Sequence, residues 1–569
     1  MVNLTLNPCQ EPFHYVCYHW EHQSADSTLS SAVKDAFASV IQGTDQSDPG
    51  RTLNRIYTSC ISAVASTEPT ENILVRGILE DVSSFVVAPY RFHNNLLLIL
   101  TLSLTYSAFS PVHTNAERTG EKYRLGFWPE NSSVIEFLSE GDEGAKREVL
   151  ERLLVALNKE GTFHLSMTDV SNIASDISHS GKVEPEVIGN LSLLEQFVPQ
   201  GAPSTFRSVL DKIYTFPANS TTVILQFPHL VRKILRFFAD PANQPTAISY
   251  AIFEAAVLLM KQLLSVENFK PAQQFEECVR YLRNFRILLF ALYARKLSNP
   301  VKDRLVLATA EDIKAVVIEK VSLLGDAGDK VKVSNTISEL RVVVPSYVAR
   351  LIKDLPDVSS NLFSNYLRNS AWTLRLQLSR FNARLGVTDI MNRKPYEEYV
   401  LVTRGHLFIA PVVLGWVATT NPEARFERSA AVGPVVADAL WKLVLDNTTW
   451  SATAEKKLGI LRKCASKKAS SYRYPVLSLQ TAAWTARDST WNTPRLVWSL
   501  WEASISQVFY LRYIHFVACL RVIAGIESED QAVADVAFVA ATPDFRKAFN
   551  CSLPVENNGT CAQEIEGLE

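Results

Sequence analysis

The placement of eight cysteines constrains this chain more than any other feature. Cys9, Cys17 and Cys60 come early, Cys278 stands alone in the middle, and Cys464, Cys519, Cys551 and Cys561 come late. Cysteines gathered at both ends of 569 residues imply that the N-terminal segment is stitched back onto the C-terminal region. The count is even and no C-x-x-C pair occurs, so the usual sign of a structural zinc or redox site is missing. N-glycosylation sequons begin at Asn3, Asn131, Asn190, Asn219, Asn447, Asn550 and Asn558. Chance supplies several sequons in a chain this long. Together with the even cysteine count they favour an oxidising, extracellular compartment.

Charge narrows the function classes. With 57 Lys+Arg against 59 Asp+Glu, the net charge is −2, which does not supply the concentrated positive field that nucleic-acid binding needs. Apolar residues at 47% are too many for a disordered chain, and the length allows two to four domains. No segment reads as a membrane span. The best candidate, Leu96–Phe109, is about 14 residues long and interrupted by Thr and Ser, against the roughly 20 that a span requires; it is expected to be a buried core element. The N-terminus (MVNLTLNPC) lacks the basic-then-apolar layout of a signal peptide, so a signal or anchor upstream is an open question.

Most of the chain carries a helical period. In Ala145–Leu157, residues Val149, Leu150, Leu153, Leu154 and Leu157 fall on one stripe with charges opposite. Ile252–Leu264 and Tyr281–Lys296 read the same way, and Ser379–Gly386 leads into a break near Asp389. Strand signals are few: Thr221–Phe227, and Tyr399–Pro411, whose β-rich arms flank Arg404-Gly405 as in a hairpin. The expected fold class is mainly α with minor β.

Several segments resemble one family. Asn7-Pro8-Cys9, then Phe13, Tyr15, Cys17 and Trp20, are similar to the opening of the neprilysin and endothelin-converting-enzyme family of zinc metalloendopeptidases. Asp544-Phe545 and Ala548-Phe549-Asn550-Cys551, with Cys561 ten residues on, resemble its closing segment. Tyr57-Thr58-Ser59-Cys60 and Cys278-Val279-Arg280-Tyr281 resemble its two internal cysteine sites. The resemblance implies a two-lobed ectodomain enclosing a cavity: a thermolysin-like lobe from residues 1–45 plus 315–569, and a helical cap lobe from 46–314. It also implies the pairings Cys9–Cys551, Cys17–Cys519, Cys60–Cys278 and Cys464–Cys561, one choice among the 105 that eight cysteines allow. Each bridge closes a long loop, worth about 4–5 kcal/mol on a chain-entropy model.

The chemistry of that family needs H-E-x-x-H: two imidazoles one helical turn apart on one zinc, and a Glu that polarises the metal-bound water. The motif is absent. None of the ten His (14, 19, 22, 93, 113, 164, 179, 229, 406 and 515) lies four residues from another, and none is followed by Glu. Val432-Gly433-Pro434-Val435-Val436-Ala437 resembles the run leading into the family's zinc helix. Asp438 and Lys442 then occupy the two His positions and Ala439 that of the general base. On a helix, Asp438 and Lys442 face away from the stripe of Val436, Leu440 and Leu443, and an ion pair between them is predicted in place of the metal.

The family's other functional positions are changed as well. The third ligand falls on Thr481, and the carboxylate that orients a ligating His on Thr485. The transition-state His falls on Ser528 and the substrate-binding Arg on Ala534. The substrate-gripping site becomes Glu397-Glu398-Tyr399-Val400, with Ala410 at the far arm of the hairpin. The expectation is therefore an extracellular, glycosylated peptidase homologue without zinc or hydrolysis, not an enzyme, binding peptides or a protein partner. Two other readings stay open: an active zinc metalloendopeptidase with unlocated ligands, and a structural or decoy secreted glycoprotein.

Other features take plainer readings. His19 and His22, with Glu21 between them and His14 nearby, are read as surface or packing residues. The basic run Lys456, Lys457, Arg462, Lys463, Lys467, Lys468 and Arg473 suits an anionic glycan, but a solvated helix face explains it as well. Trp441, Trp450, Trp484, Trp491, Trp498 and Trp501 are expected to fill core. There is no G-x-S-x-G elbow and no phosphate loop.

Overall fold

The computed structural model describes residues 3, 5–17, 29–86, 92–109, 111–140, 143–160, 163–178, 184–196, 210–211, 213–263, 274–385, 400–403, 405–411, 413–414, 424–447, 450–466, 475–487, 494–497, 501–519, 522 and 528–551. The chain is mainly helical and divides into two compact units. One comprises residues 40–289 and 353–388; the other comprises 1–39, 290–352 and 389–569. The boundary expected at 314/315 would cut the unbroken helix Pro300–Leu324, which starts at Asn299, whose side chain caps the N–H groups of Val301 and Lys302.

In the first of these units, helices surround a four-stranded sheet. Its strands are β1 (His113–Thr119), β2 (Lys122–Trp128), β3 (Val187–Gly189) and β4 (Thr221–Leu225), in spatial order β1-β2-β4-β3. β1 and β2 form an antiparallel hairpin, β4 joins β2 in parallel, and β3 runs antiparallel to β4. The hairpin turn passes through Gly120 at φ +62°, a conformation that glycine adopts without a steric penalty. The Thr221–Phe227 strand ends two residues early, because Phe227 turns to φ +50° just before Pro228 opens a helix.

The Glu143–Glu160 helix buries Val149, Leu150, Leu153, Leu154 and Leu157, as its stripe predicts. Leu96–Phe109 is a buried core element as expected, helical through Thr105 and finishing in a π-helical turn, Thr101–Thr105. The Tyr281–Lys296 period is interrupted: one helix ends at Leu282, three turn hydrogen bonds follow, and another runs Arg286–Leu297. Cys60 bonds to Cys278, tying the Asp48–Val64 and Gln274–Leu282 helices together.

One stretch, Pro245–Leu263, is by length and composition apolar enough to cross a membrane, which corrects the reading that no segment qualifies. It is 72% buried inside the protein. At its middle, Glu254 is fully buried and accepts hydrogen bonds from Ser132 Oγ (2.8 Å), Tyr250 OH (2.9 Å) and the backbone N–H of Ser133. A carboxylate satisfied by three protein donors belongs to a protein core.

In the other unit the N-terminal segment packs into C-terminal core, as the cysteines imply. Phe13, Tyr15, Val16 and Cys17 of the Pro12–Cys17 helix lie among Ala482, Phe509, Tyr513, Val517, Val536 and Phe545. Cys9–Cys551 and Cys17–Cys519 close that arrangement. The Cys464–Cys561 pairing lies outside the described side chains. A three-stranded sheet has order β5-β7-β6, with β5 (Arg341–Val343), β6 (Val400–Thr403) and β7 (His406–Ile409). β6 and β7 are the hairpin expected over Tyr399–Pro411, with Gly405 at φ +75° in its turn. A last hairpin pairs β8 (Pro494–Val497) with β9 (Trp501–Ser504).

Candidate functional site

Asp438, Ala439 and Lys442 lie on the helix Arg425–Asn447, Thr481 and Thr485 on the helix Pro475–Ala486, and the two helices pack tightly side by side. The sequence allows this at Gly433. A Cβ there would stand 2.6 Å from Ala482 Cβ and 3.2 Å from Ala482 Cα, so only glycine permits the approach. The helices run in opposite directions, since Gly433 meets Ala482 while Asp438, further along, meets Ser478.

Asp438 is half-buried, and its Oδ1 accepts from the buried Ser478 hydroxyl at 3.5 Å. Ala439 beside it is half-buried and Lys442 is exposed. Among the described residues no ion pair joins Asp438 to Lys442, which corrects the expected replacement of the metal by such a pair. The physical reason is exposure: an ammonium in water gains only a few tenths of a kcal/mol from a helical i,i+4 partner.

Thr481 is buried and accepts the indole N–H of Trp441 at 2.9 Å. Trp441 is itself completely buried, in line with the core role expected for it. Thr485 is buried too, and its hydroxyl donates to the Thr481 carbonyl within its own helix at 2.8 Å. Asp438 thus meets Ser478, one turn before Thr481, while the Thr485 hydroxyl is engaged within its own helix. Sequence reading missed Ser478 because nothing in its local pattern marks it; only the crossing of two helices brings it to Asp438.

The remaining positions are dispersed. Ser528 is the N-cap of the Glu529–Ala541 helix, accepting from Gln531 N at 3.3 Å, and Ala534 is half-buried on that helix. Ala410 is buried beyond β7, with its carbonyl taken by Val413 N. Glu397, Glu398 and Tyr399 lie outside the described residues, as do His19, Glu21 and His22. β6 packs against the Arg425–Asn447 helix and is, among the described residues, an edge strand whose four residues are all partly exposed. Of the tryptophans, Trp450 is buried, whereas Trp484 is 40% exposed, with Lys320 Nζ 3.9 Å and Arg487 Cζ 5.0 Å from its ring centre. The side chains of Trp491, Trp498 and Trp501 are outside the described set. Of the basic run, Lys456 is exposed and Lys457 half-buried on the Ala452–Ser466 helix. Among the described residues no group of three or more His, Cys, Asp or Glu side chains is placed to share a metal ion.

Behind the helix pair, His515 opens a π-helical turn that ends at the bridged Cys519. Burial, assisted by the nearby Arg512 charge, pulls its imidazole down to a pKa of about 3, so it is neutral at ordinary pH.

No protein-family model matches the chain, and no curated protein matches it. Solved structures do. The open state of the Mycobacterium tuberculosis zinc metalloprotease Zmp1 is 11% identical, over 96% of this chain and 98% of that one, with a TM-score of 0.62. PepO from Lactobacillus rhamnosus is 12% identical over 98% and 99%, with a TM-score of 0.54. Both are neprilysin-family zinc metallopeptidases. The chain has a neprilysin-like fold. A Haemonchus galactose-containing glycoprotein complex is similar as well, 12% identical over 97% and 95%, with a TM-score of 0.54. Identities this low establish the neprilysin-like fold and leave its chemistry to the residues.

Proposed function

We propose that this chain is an extracellular neprilysin-like pseudopeptidase, a peptidase fold without catalytic zinc that binds peptides or a protein partner instead of cleaving them. The observation that carries the reading is the helix pair. A catalytic zinc takes three protein ligands and a water. At the corresponding positions the chain offers a carboxylate already accepting from Ser478, an exposed ammonium at Lys442, and a Thr481 hydroxyl engaged by Trp441. That donor set does not fit a tetrahedral cation. Ala439 has no group to polarise a water, and the positions of the transition-state groups are taken by a helix cap and a methyl. With the metal go both the activated nucleophile and the Lewis acid.

Peptide binding is supported by β6, a partly exposed edge strand to which an extended peptide can add as a further strand. The extracellular assignment is supported by the three disulfides, which persist in oxidising compartments. The test is a panel of quenched peptides with full-length protein. Binding without turnover, weakened by Val400→Pro at the start of β6, is expected; turnover that phosphoramidon blocks overturns the reading. Proline is tolerated at the first residue of a strand and removes one donor there.

A further inference from the structure

We infer that Asn190 and Asn219 carry N-linked glycans that together shield the open edge of the four-stranded sheet. Both begin sequons, Asn190-Leu191-Ser192 and Asn219-Ser220-Thr221, and both are exposed. Strand register brings them together. β3 pairs with β4 through Val187–Leu225, Ile188–Ile224 and Gly189–Val223. Asn190 follows β3 directly and Asn219 stands just before β4, so the two lie beyond the same end of the ladder. Asn190 Oδ1 accepts from the Ser192 N–H at 3.0 Å and from its hydroxyl. The Nδ2 atoms of Asn190 and Asn219 have no hydrogen-bond partner among the described residues. These are the atoms that take the sugar: Nδ2 bonds to the anomeric carbon of a diphospholipid-linked oligosaccharide, the bond from that carbon to phosphate breaks, the lipid diphosphate leaves, and one amide proton is released.

The edge explains what the sugars do. Among the described residues β3 is the last strand of the sheet, and its Ile188 is 65% exposed. An open strand with an outward isoleucine is a template for pairing with a second chain, and proteins blunt such edges with charge, proline or cover. Glu184, Pro185 and Glu186 blunt the start of β3, but β3 itself has no charged residue and no proline, so its Asn190 end lacks that protection. Two bulky hydrated glycans at its end supply the cover.

The inference rests on the extracellular reading, and one non-reduced peptide map of protein secreted from cultured animal cells separates the two. Glycan mass at Asn190 and Asn219, with the Cys9–Cys551 peptide bridged, is expected. Bare asparagines beside an intact bridge overturn the inference alone, and bare asparagines beside free thiols overturn the extracellular reading with it. The double variant Asn190→Gln/Asn219→Gln, which loses both sugars without gaining charge, is then expected to show concentration-dependent self-association in sedimentation, abolished by adding Ile188→Thr. A double variant as monodisperse as the unaltered glycosylated protein overturns the shielding role.

Discussion

The Ser478 hydroxyl donates to Asp438 Oδ1 across the gap between two antiparallel helices, 40 residues apart in sequence. A carboxylate that is half-buried and already hydrogen-bonded has its lone pairs directed by the protein, and a neighbouring ammonium one turn on repels a cation. The groups that face one another across the helix pair are the Asp438 carboxylate, hydroxyls, methyls and an indole.

The closest approach of those helices sets the first prediction. Gly433→Ala drives a methyl into the Ala482 Cβ and backbone, and neither can move without shifting a helix. Overpacking of this kind costs about 1–3 kcal/mol. Urea denaturation is expected to show that loss, with partial recovery in Gly433→Ala/Ala482→Gly.

Trp441 and Thr481 set the second. Thr481→Val keeps the shape and removes the acceptor, leaving a fully buried indole N–H unsatisfied. The expected cost is about 1–3 kcal/mol. Thr481→Ser, which keeps the hydroxyl, is expected to recover most of it in the same denaturation series.

Glu254 sets the third. Glu254→Ala removes the acceptor of the Ser132, Ser133 and Tyr250 donors. The Ser132 and Tyr250 hydroxyls, 3.0 Å apart, still satisfy one of the two, so two donors are stranded at about 1–3 kcal/mol each and the variant is expected to lose at least about 2 kcal/mol. Poor secretion or a sharply lowered thermal midpoint checks this; an unchanged midpoint contradicts it.

His515 sets the fourth, and its sign is fixed by linkage. The folded pKa lies at about 3, below the ordinary 6.5. The unfolded chain therefore takes up a proton first as pH falls. Stability from the neutral imidazole is complete above about pH 6.5 and is lost progressively down to about pH 3. At pH 5 the loss is about 2 kcal/mol. His515→Gln is expected to flatten this part of the profile in denaturation midpoints measured between pH 7 and 5.

Much of the architecture was legible because it rests on local signals. The Val149–Leu157 stripe, the hairpin around Arg404-Gly405 and the burial of Leu96–Phe109 follow from periodicity and turn chemistry alone. Three cysteine pairs agree with those implied by the resemblance. β1 was hidden because its inward residues are Thr114, Ala116 and Arg118, which lack hydrophobic alternation. Tertiary partners make them buriable: Ser103 for Thr114, and the Gly120 and Leu378 carbonyls for Arg118. The absence of H-E-x-x-H can be read from the sequence because it is a local pattern. The contacts of the helix pair were not legible, because Ser478 meets Asp438, and Trp441 meets Thr481, only through the crossing of two helices.

Quantitative metal analysis of the full-length protein, purified without chelator and dialysed against zinc-free buffer, tests the central claim most directly. The account predicts no stoichiometric zinc, and a gain of zinc affinity when imidazoles are restored in Asp438→His/Ala439→Glu/Lys442→His. One equivalent of zinc retained by the unaltered chain through dialysis would contradict it.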